Sequence, residues 1–311
     1  MSAVIGGELA GSAASPPARR SVRWPAWLLL AGAVGALAVA MAPDWYEITG
    51  PYFLVDGDML VGWLRAVAPF LVAASVVLGA DRWAAGRSSL HLGAAFLGAF
   101  ALLSLASDAW WALFETNPDE FARLDVQPWL TARGLAAAVT FVAGYLLLAR
   151  GMWQSNEHRP IGARRAAVAG AIGLLGLASA AIGIGTLALV NWDPPTPQSL
   201  AWVIIAIGVL TPVGFAAVAA LGAAAVRALP RRGRLPEALI ALGAGLACAG
   251  LAWEWSFPAI VPQPDLGFEA LELLWFTARL LTALGFLAMI AGFAAGRFFG
   301  SPGLDGDATA R

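Results

Sequence analysis

The stretch Trp129-Leu130-Thr131-Ala132-Arg133 returns 146 residues later as Trp275-Phe276-Thr277-Ala278-Arg279. The likeness runs past these five positions. Leu135 and Ala137 fall opposite Leu281 and Ala283 at the same offset, and upstream the acid Asp108 falls opposite the acid Glu254. A second block agrees: Pro69, Ala73, Ala74, Leu78, Gly79 and Ala80 return as Pro212, Ala216, Ala217, Leu221, Gly222 and Ala223, 143 residues on. Trp45 returns as Trp192, at an offset of 147. Three blocks at nearly one offset are hard to reach by chance, even in a chain rich in Ala, Gly and Leu. Residues 24–151 and 166–297 therefore read as two copies of one unit. Residues 1–23 and 298–311 read as disordered cytoplasmic tails, small and polar in composition.

Charged residues make up 13% of the chain and hydrophobic ones 59%. A soluble domain carries roughly 25% charged residues, so the expected class is an integral membrane protein. Every basic residue is Arg and none is Lys, which points to a GC-rich bacterial genome. It also excludes Lys chemistry, whether a retinal or pyridoxal Schiff base or a phosphate-loop lysine. The lone Cys248 lies in an apolar run, and a single buried thiol supports neither a disulfide nor a metal cluster. Of the two histidines, His91 sits at a membrane edge and His158 in a polar loop. Neither a metal site nor a cofactor is expected.

Eight apolar runs are long enough for ~30 Å of hydrocarbon at ~20 residues each. They cover about 24–42, 59–80, 88–107, 129–150, 166–190, 200–227, 236–253 and 271–296. The seventh is the weakest, being short and holding Trp253 and Glu254 at its end. Ala38-Val39-Ala40 resembles a secretory cleavage site. The first run nevertheless ends at Trp45 as the fifth ends at Trp192, which makes it a retained helix. The segments before run one, between two and three, four and five, six and seven, and after eight hold 15 of the 19 Arg. By the positive-inside rule both termini are cytoplasmic. Fourteen of the 20 acids lie on the other face, among them Asp44, Asp56, Asp58, Asp119, Glu120 and Glu269. Four spans per copy is an even number, so the copies share one orientation about an axis along the membrane normal. The expected fold is all-α: eight transmembrane helices as two parallel-oriented four-helix repeats in the cell inner membrane.

Three groups of residues could carry chemistry. Arg65, Arg133 and Arg279 come two to four residues past a belt tryptophan, within ~6 Å of helix. They are either snorkelled cations paired with loop acids such as Asp58, Asp125 or Glu272, or a cluster that binds an anionic headgroup or substrate. The sixth run has Gly208 where the second has Arg65. Asp108 and Glu254 end the third and seventh runs beside tryptophans. Pairing with Arg133 and Arg279 is the simple reading of them, and a carboxylate of raised pKa doing proton chemistry the sharper one. Pro69 and Pro212 sit at matching places in the second and sixth runs, as inherited kinks or as the paired helix breaks of a transporter. Ten of 14 tryptophans lie on the outer side, more than an interfacial belt on both faces requires. They fit longer outer loops, or an aromatic surface for a protein, lipid or sugar.

The mid-bilayer polar groups are Ser75, Ser104, Thr140, Tyr145, Ser179, Thr186, Thr211, Cys248 and Thr282, with no carboxylate or His among them. The inner loops are short. These features favour a non-catalytic accessory, scaffold or sensor subunit that presents an acidic, Trp-rich outer face to another membrane or extracytoplasmic protein. A permease or lipid-handling protein with an arginine-lined vestibule is the alternative, and an outer-leaflet enzyme using Asp108 or Glu254 the second. Nucleic acid is not an expected partner.

Overall fold

The computed structural model describes residues 24–41, 57–78, 86–116, 127–154, 161–189, 198–229, 234–260 and 268–298. Asp44, Trp45, Asp56, Asp119, Glu120, His158, Trp192 and both tails lie outside them, as do the side chains of Asp58, Ser104, Asp108 and Glu269. The described residues form eight helices and no strand: α1 (Trp24–Met41), α2 (Gly57–Leu78), α3 (Arg87–Thr116), α4 (Gln127–Gln154), α5 (Ala163–Leu189), α6 (Gln198–Ala228), α7 (Arg234–Ile260) and α8 (Phe268–Phe298). In hydrocarbon every backbone N–H and C=O needs an internal partner, so apolar runs of this length close into helices. Pro25, Pro128 and Pro236 occupy the first turns of α1, α4 and α7, where a missing N–H costs nothing.

Six helices are long and apolar enough to cross a membrane: α2, α4, α5, α6, α7 and α8. In α1 and α3 the described apolar stretches are Trp27–Ala38 and Arg87–Leu103. The helices also outrun their apolar stretches. α3 continues past Asp108 to Thr116, and α7 past Glu254 to Ile260. The two acids therefore lie inside helices rather than ending them, and the seventh helix is not a short one. A charged residue alone does not stop a helix whose backbone bonds are already made.

The main packing contacts within the halves pair α1 with α2 and α3, α3 with α4, α5 with α6 and α7, and α7 with α6 and α8. Two further interfaces join the halves, α4 against α6 and α2 against α8. Glycine seams bring some of these helices to backbone contact, which small residues permit. A methyl group at Gly93 would stand 2.9 Å from the Gly144 carbonyl oxygen, and one at Gly243 only 2.5 Å from that of Gly285. Gly250 faces the Ala278 carbonyl at 2.7 Å, and Gly292 that of Pro236 at 3.0 Å. Along α4 and α6 the order is parallel: Gly134 faces Ile207 and Phe141 faces Gly214.

The first half fills its centre with rings. Phe70 stacks on Phe100 at 5.9 Å, Phe100 meets Phe141 edge-on at 5.2 Å, and Phe141 tilts against Tyr145 at 4.9 Å. Tyr145 is fully buried, and its hydroxyl donates to the carbonyl of Pro69 at 2.9 Å. At the positions that the 143- and 146-residue shifts assign, the second half has Val213, Leu246, Leu287 and Ala291. Its α7 and α8 form the most extensive pair among the described helices.

Candidate functional site

The described charges gather at the two ends of the bundle. At one end α2, α7 and α8 converge. Gly250 of α7 lies against Ala278 and Thr282 of α8. Glu254 follows Gly250 by one helical turn, and Arg279 follows Ala278, so the close seam carries both charged residues to one level. Arg65 of α2 completes the group, its Nη2 standing 2.7 Å from Glu254 Oε2. Arg279 is near enough for its charge to oppose that of Arg65. Among the described residues the site thus joins the Arg65–Glu254 pair of α2 and α7 to the charge of Arg279 on α8.

The expected partner of Glu254 was Arg279, within one half. The ion pair formed on Glu254 reaches instead across the halves, to Arg65. Helix packing explains it: α2 docks against α8, which is itself seamed to α7, so the cation of one half meets the acid of the other. Side-chain exposure is 34% for Arg65 and 15% for Glu254. The pair is about two-thirds covered on the arginine side and more so on the carboxylate side. Arg65 lies eight residues inside α2 and Arg279 eleven inside α8, or about 12 and 16 Å along the axis. Both are deeper in their helices than distance from the belt tryptophans implies.

Arg133 follows another course. Its Nη1 donates to the Leu103 carbonyl of α3 at 3.2 Å, which ties α4 to α3 within the first half. The side chain of Asp108 is outside the described residues, and the expected Asp108–Arg133 pair with it. Near Arg133, the α6 helix brings Ile207 against Gly134 and carries the buried Gly208. Arg65 and Arg279 stand at the α2/α7/α8 junction, while Arg133 reaches α3.

Pro69 and Pro212 lie within unbroken α2 and α6. A proline cannot donate to the carbonyl four residues back, which is that of Arg65 in α2 and of Gly208 in α6. The Pro69 carbonyl accepts from Tyr145, and the ring of Pro212 packs where Gly183 leaves room, 2.7 Å from the methyl an alanine would bring. Both prolines serve close packing.

The opposite end holds a cluster that sequence reasoning missed. Glu237, in the first turn of α7, is 3% exposed and meets Arg164 at 3.2 Å and Arg165 at 3.3 Å. Arg165 also donates to the Leu229 carbonyl at 2.7 Å, closing the end of α6. An acid is favourable at a helix start and a cation is not, so Glu237 suits α7 and offsets two arginines at the head of α5. Its signal was an acid beginning an apolar run on the Arg-rich face. Nearby the Arg227 guanidinium lies 3.9 Å above the Trp153 ring, a second tie between the halves.

Polar groups deeper in the helices turn inward to carbonyls. Ser75, Thr140, Thr186, Thr211 and Thr282 donate to carbonyls of their own helices at 2.8–3.0 Å. The Cys248 thiol donates to the Phe215 carbonyl of α6 at 3.4 Å. Among the described residues no three His, Cys, Asp or Glu come together as a metal site. No family model, curated protein or solved structure matches the chain.

Proposed function

We propose that the chain is a duplicated, eight-span module of the cell inner membrane, with both termini cytoplasmic. In this reading it is a non-catalytic accessory, scaffold or sensor subunit whose working face is the outer one. The observation that carries it is the closed interior. Ser75, Thr140, Thr186, Thr211 and Thr282 bond to helix carbonyls, helices touch backbone to backbone at glycine seams, and rings fill the first half, so among the described residues a solvated path has little room. The enzyme reading is weakened because Glu254 is held by Arg65.

Duplication draws support from the seams. Gly243 lies 150 residues after Gly93, and Gly285 lies 141 after Gly144. The departures from 146 are nearly equal and opposite. In an antiparallel pair that amounts to a slide of about one turn along the same seam, with its register kept to one residue. The inter-half contacts α4/α6 and α2/α8 are likewise exchanged when the halves are exchanged.

The test is gentle purification from the native membrane and the intact mass of what emerges. A stoichiometric second protein is expected. A chain that emerges alone and transports solute in vesicles would sink the accessory reading. The second reading, lipid handling, is favoured by one observation, the nearness of Arg65 and Arg279 at the junction that holds Glu254.

A further inference from the structure

Pro69 divides α2 into two limbs that pack differently. In the limb 70–78, Phe70, Val72, Ala73, Ala74, Val76 and Val77 are all buried. That limb is pinned at its start, where Tyr145 of α4 donates to the Pro69 carbonyl. Among the described side chains of the limb 57–68, only Val61 and Ala68 are buried, and Leu60 is 50% exposed. A methyl at Gly62 would meet no heavy atom within 4 Å. Between the limbs the helix lacks one bond, because Pro69 has no N–H to give to the Arg65 carbonyl. Sharp helix bends occur at such places.

The more open limb also carries the charge that ties it to the other half. Arg65 stands 2.7 Å from Glu254 of α7. Met59 and Trp63 are engaged as well, so the limb is seated in this structure. A partly covered ion pair couples weakly enough to be exchanged for water, which suits a contact that opens. α6 provides the contrast. It has Pro212 at the matching place, but Gly208 where α2 has Arg65. Its limb before Pro212 packs on α4, where Ile207 meets Gly134, and the same line runs on to Arg227 over Trp153. Among the described helices α4 meets α6 more extensively than α2 meets α8. One line between the halves is thus closed along its length, and the other ends in a limb joined to α7 by an ion pair.

We propose that the limb 57–68 of α2 is a hinged arm, turning at Pro69 and latched to α7 by the Arg65–Glu254 pair. Released, the arm swings away from α7 and α8 and parts the two halves on that side, while α4 and α6 hold them together on the other. Leu60 lies about 14 Å along the axis from Pro69, so a bend of about 20° displaces it by about 5 Å. The arm does not depend on the accessory-subunit reading. Its position and a copurified protein are separate measurements, so either proposal can fail alone.

The experiment places the full-length chain in lipid nanodiscs and measures distances between spin labels by pulsed electron paramagnetic resonance. The background is Cys248→Ala, and two cysteine pairs are labelled. Leu60→Cys with Leu273→Cys reports the arm against α8. Leu78→Cys with Leu235→Cys reports the other limb of α2 against the start of α7. All four side chains are exposed. With the latch intact the first pair should show one main distance. Glu254→Gln should add a population longer by about 5 Å to the first pair and leave the second pair unchanged. Adding Pro69→Ala, which restores the missing N–H, should remove most of that population. An unchanged first pair in Glu254→Gln overturns the proposal. Equal broadening of both pairs also overturns it, since that marks a bundle loosened throughout. A long population that survives Pro69→Ala overturns the hinge, because the bend then lies elsewhere. If Glu254→Gln does not fold, Arg65→Gln breaks the same latch and is judged by the same outcomes.

Discussion

At the scale of single residues, the Arg65–Glu254 pair governs what a substitution does. Breaking a fully buried pair by removing one partner costs about 3–5 kcal/mol, whereas exposed pairs couple by about 0–1 kcal/mol. Glu254 is largely covered and Arg65 a third open, so a double-mutant cycle with Arg65→Gln and Glu254→Gln should give a coupling of about 1–2 kcal/mol. Reversible unfolding in detergent would measure it, and additive single effects would show that the two side chains do not depend on each other. Glu237 is more deeply covered and answers to two arginines. Glu237→Gln should therefore destabilise by more than Glu254→Gln, about 2–4 kcal/mol, since it takes a counter-charge from the largely covered Arg165. The repeated Trp-x-Thr-Ala-Arg stretch exposed Arg133 and Arg279 to sequence reading. It could not show that Arg279 would share its site with Arg65, because that meeting depends on how α2 docks on α8.

At the scale of helices, the glycine seams set how close the elements come. A methyl at Gly285 would stand 2.7 Å from the Gly243 carbonyl oxygen, with rigid backbone on both sides. Gly285→Ala should force α7 and α8 apart and lower stability by about 1–3 kcal/mol, as overpacking does elsewhere. Gly170 of α5 has no heavy atom within 4 Å of such a methyl, and Gly170→Ala should stay within about 0.5 kcal/mol of wild type. Thermal unfolding midpoints in one detergent would separate the two, and equal losses would mean that the seam is not a tight one. Composition made close packing readable, since Gly and Ala fill these runs. Which glycines face a partner was hidden: Gly170 stands between two alanines and is open, whereas Gly285 stands between Leu284 and Phe286 and is closed in.

At the scale of the whole molecule, orientation can be read with thiol chemistry, because Cys248 is the chain's one cysteine and is buried. In a Cys248→Ala background, Gln198→Cys at the start of α6 should react with an impermeant maleimide on intact cells. Gly162→Cys before α5 should react only after permeabilisation, and the reverse pattern would invert the proposed topology. The all-helical membrane class and the candidate arginines were legible along the chain. Apolar run length, charge scarcity and a repeated motif are local properties that a bilayer converts directly into helices. Helix ends were less legible: α3 and α7 run through their acids, because backbone hydrogen bonding continues where hydropathy falls. The partners of those charges were decided by the tertiary structure alone. α2 packs on α8 and α4 on α6, and this places Arg65 of one half on Glu254 of the other and Arg227 over Trp153. Pairing depends on which faces meet in space, and two copies of one sequence pattern could satisfy it within a half or between halves.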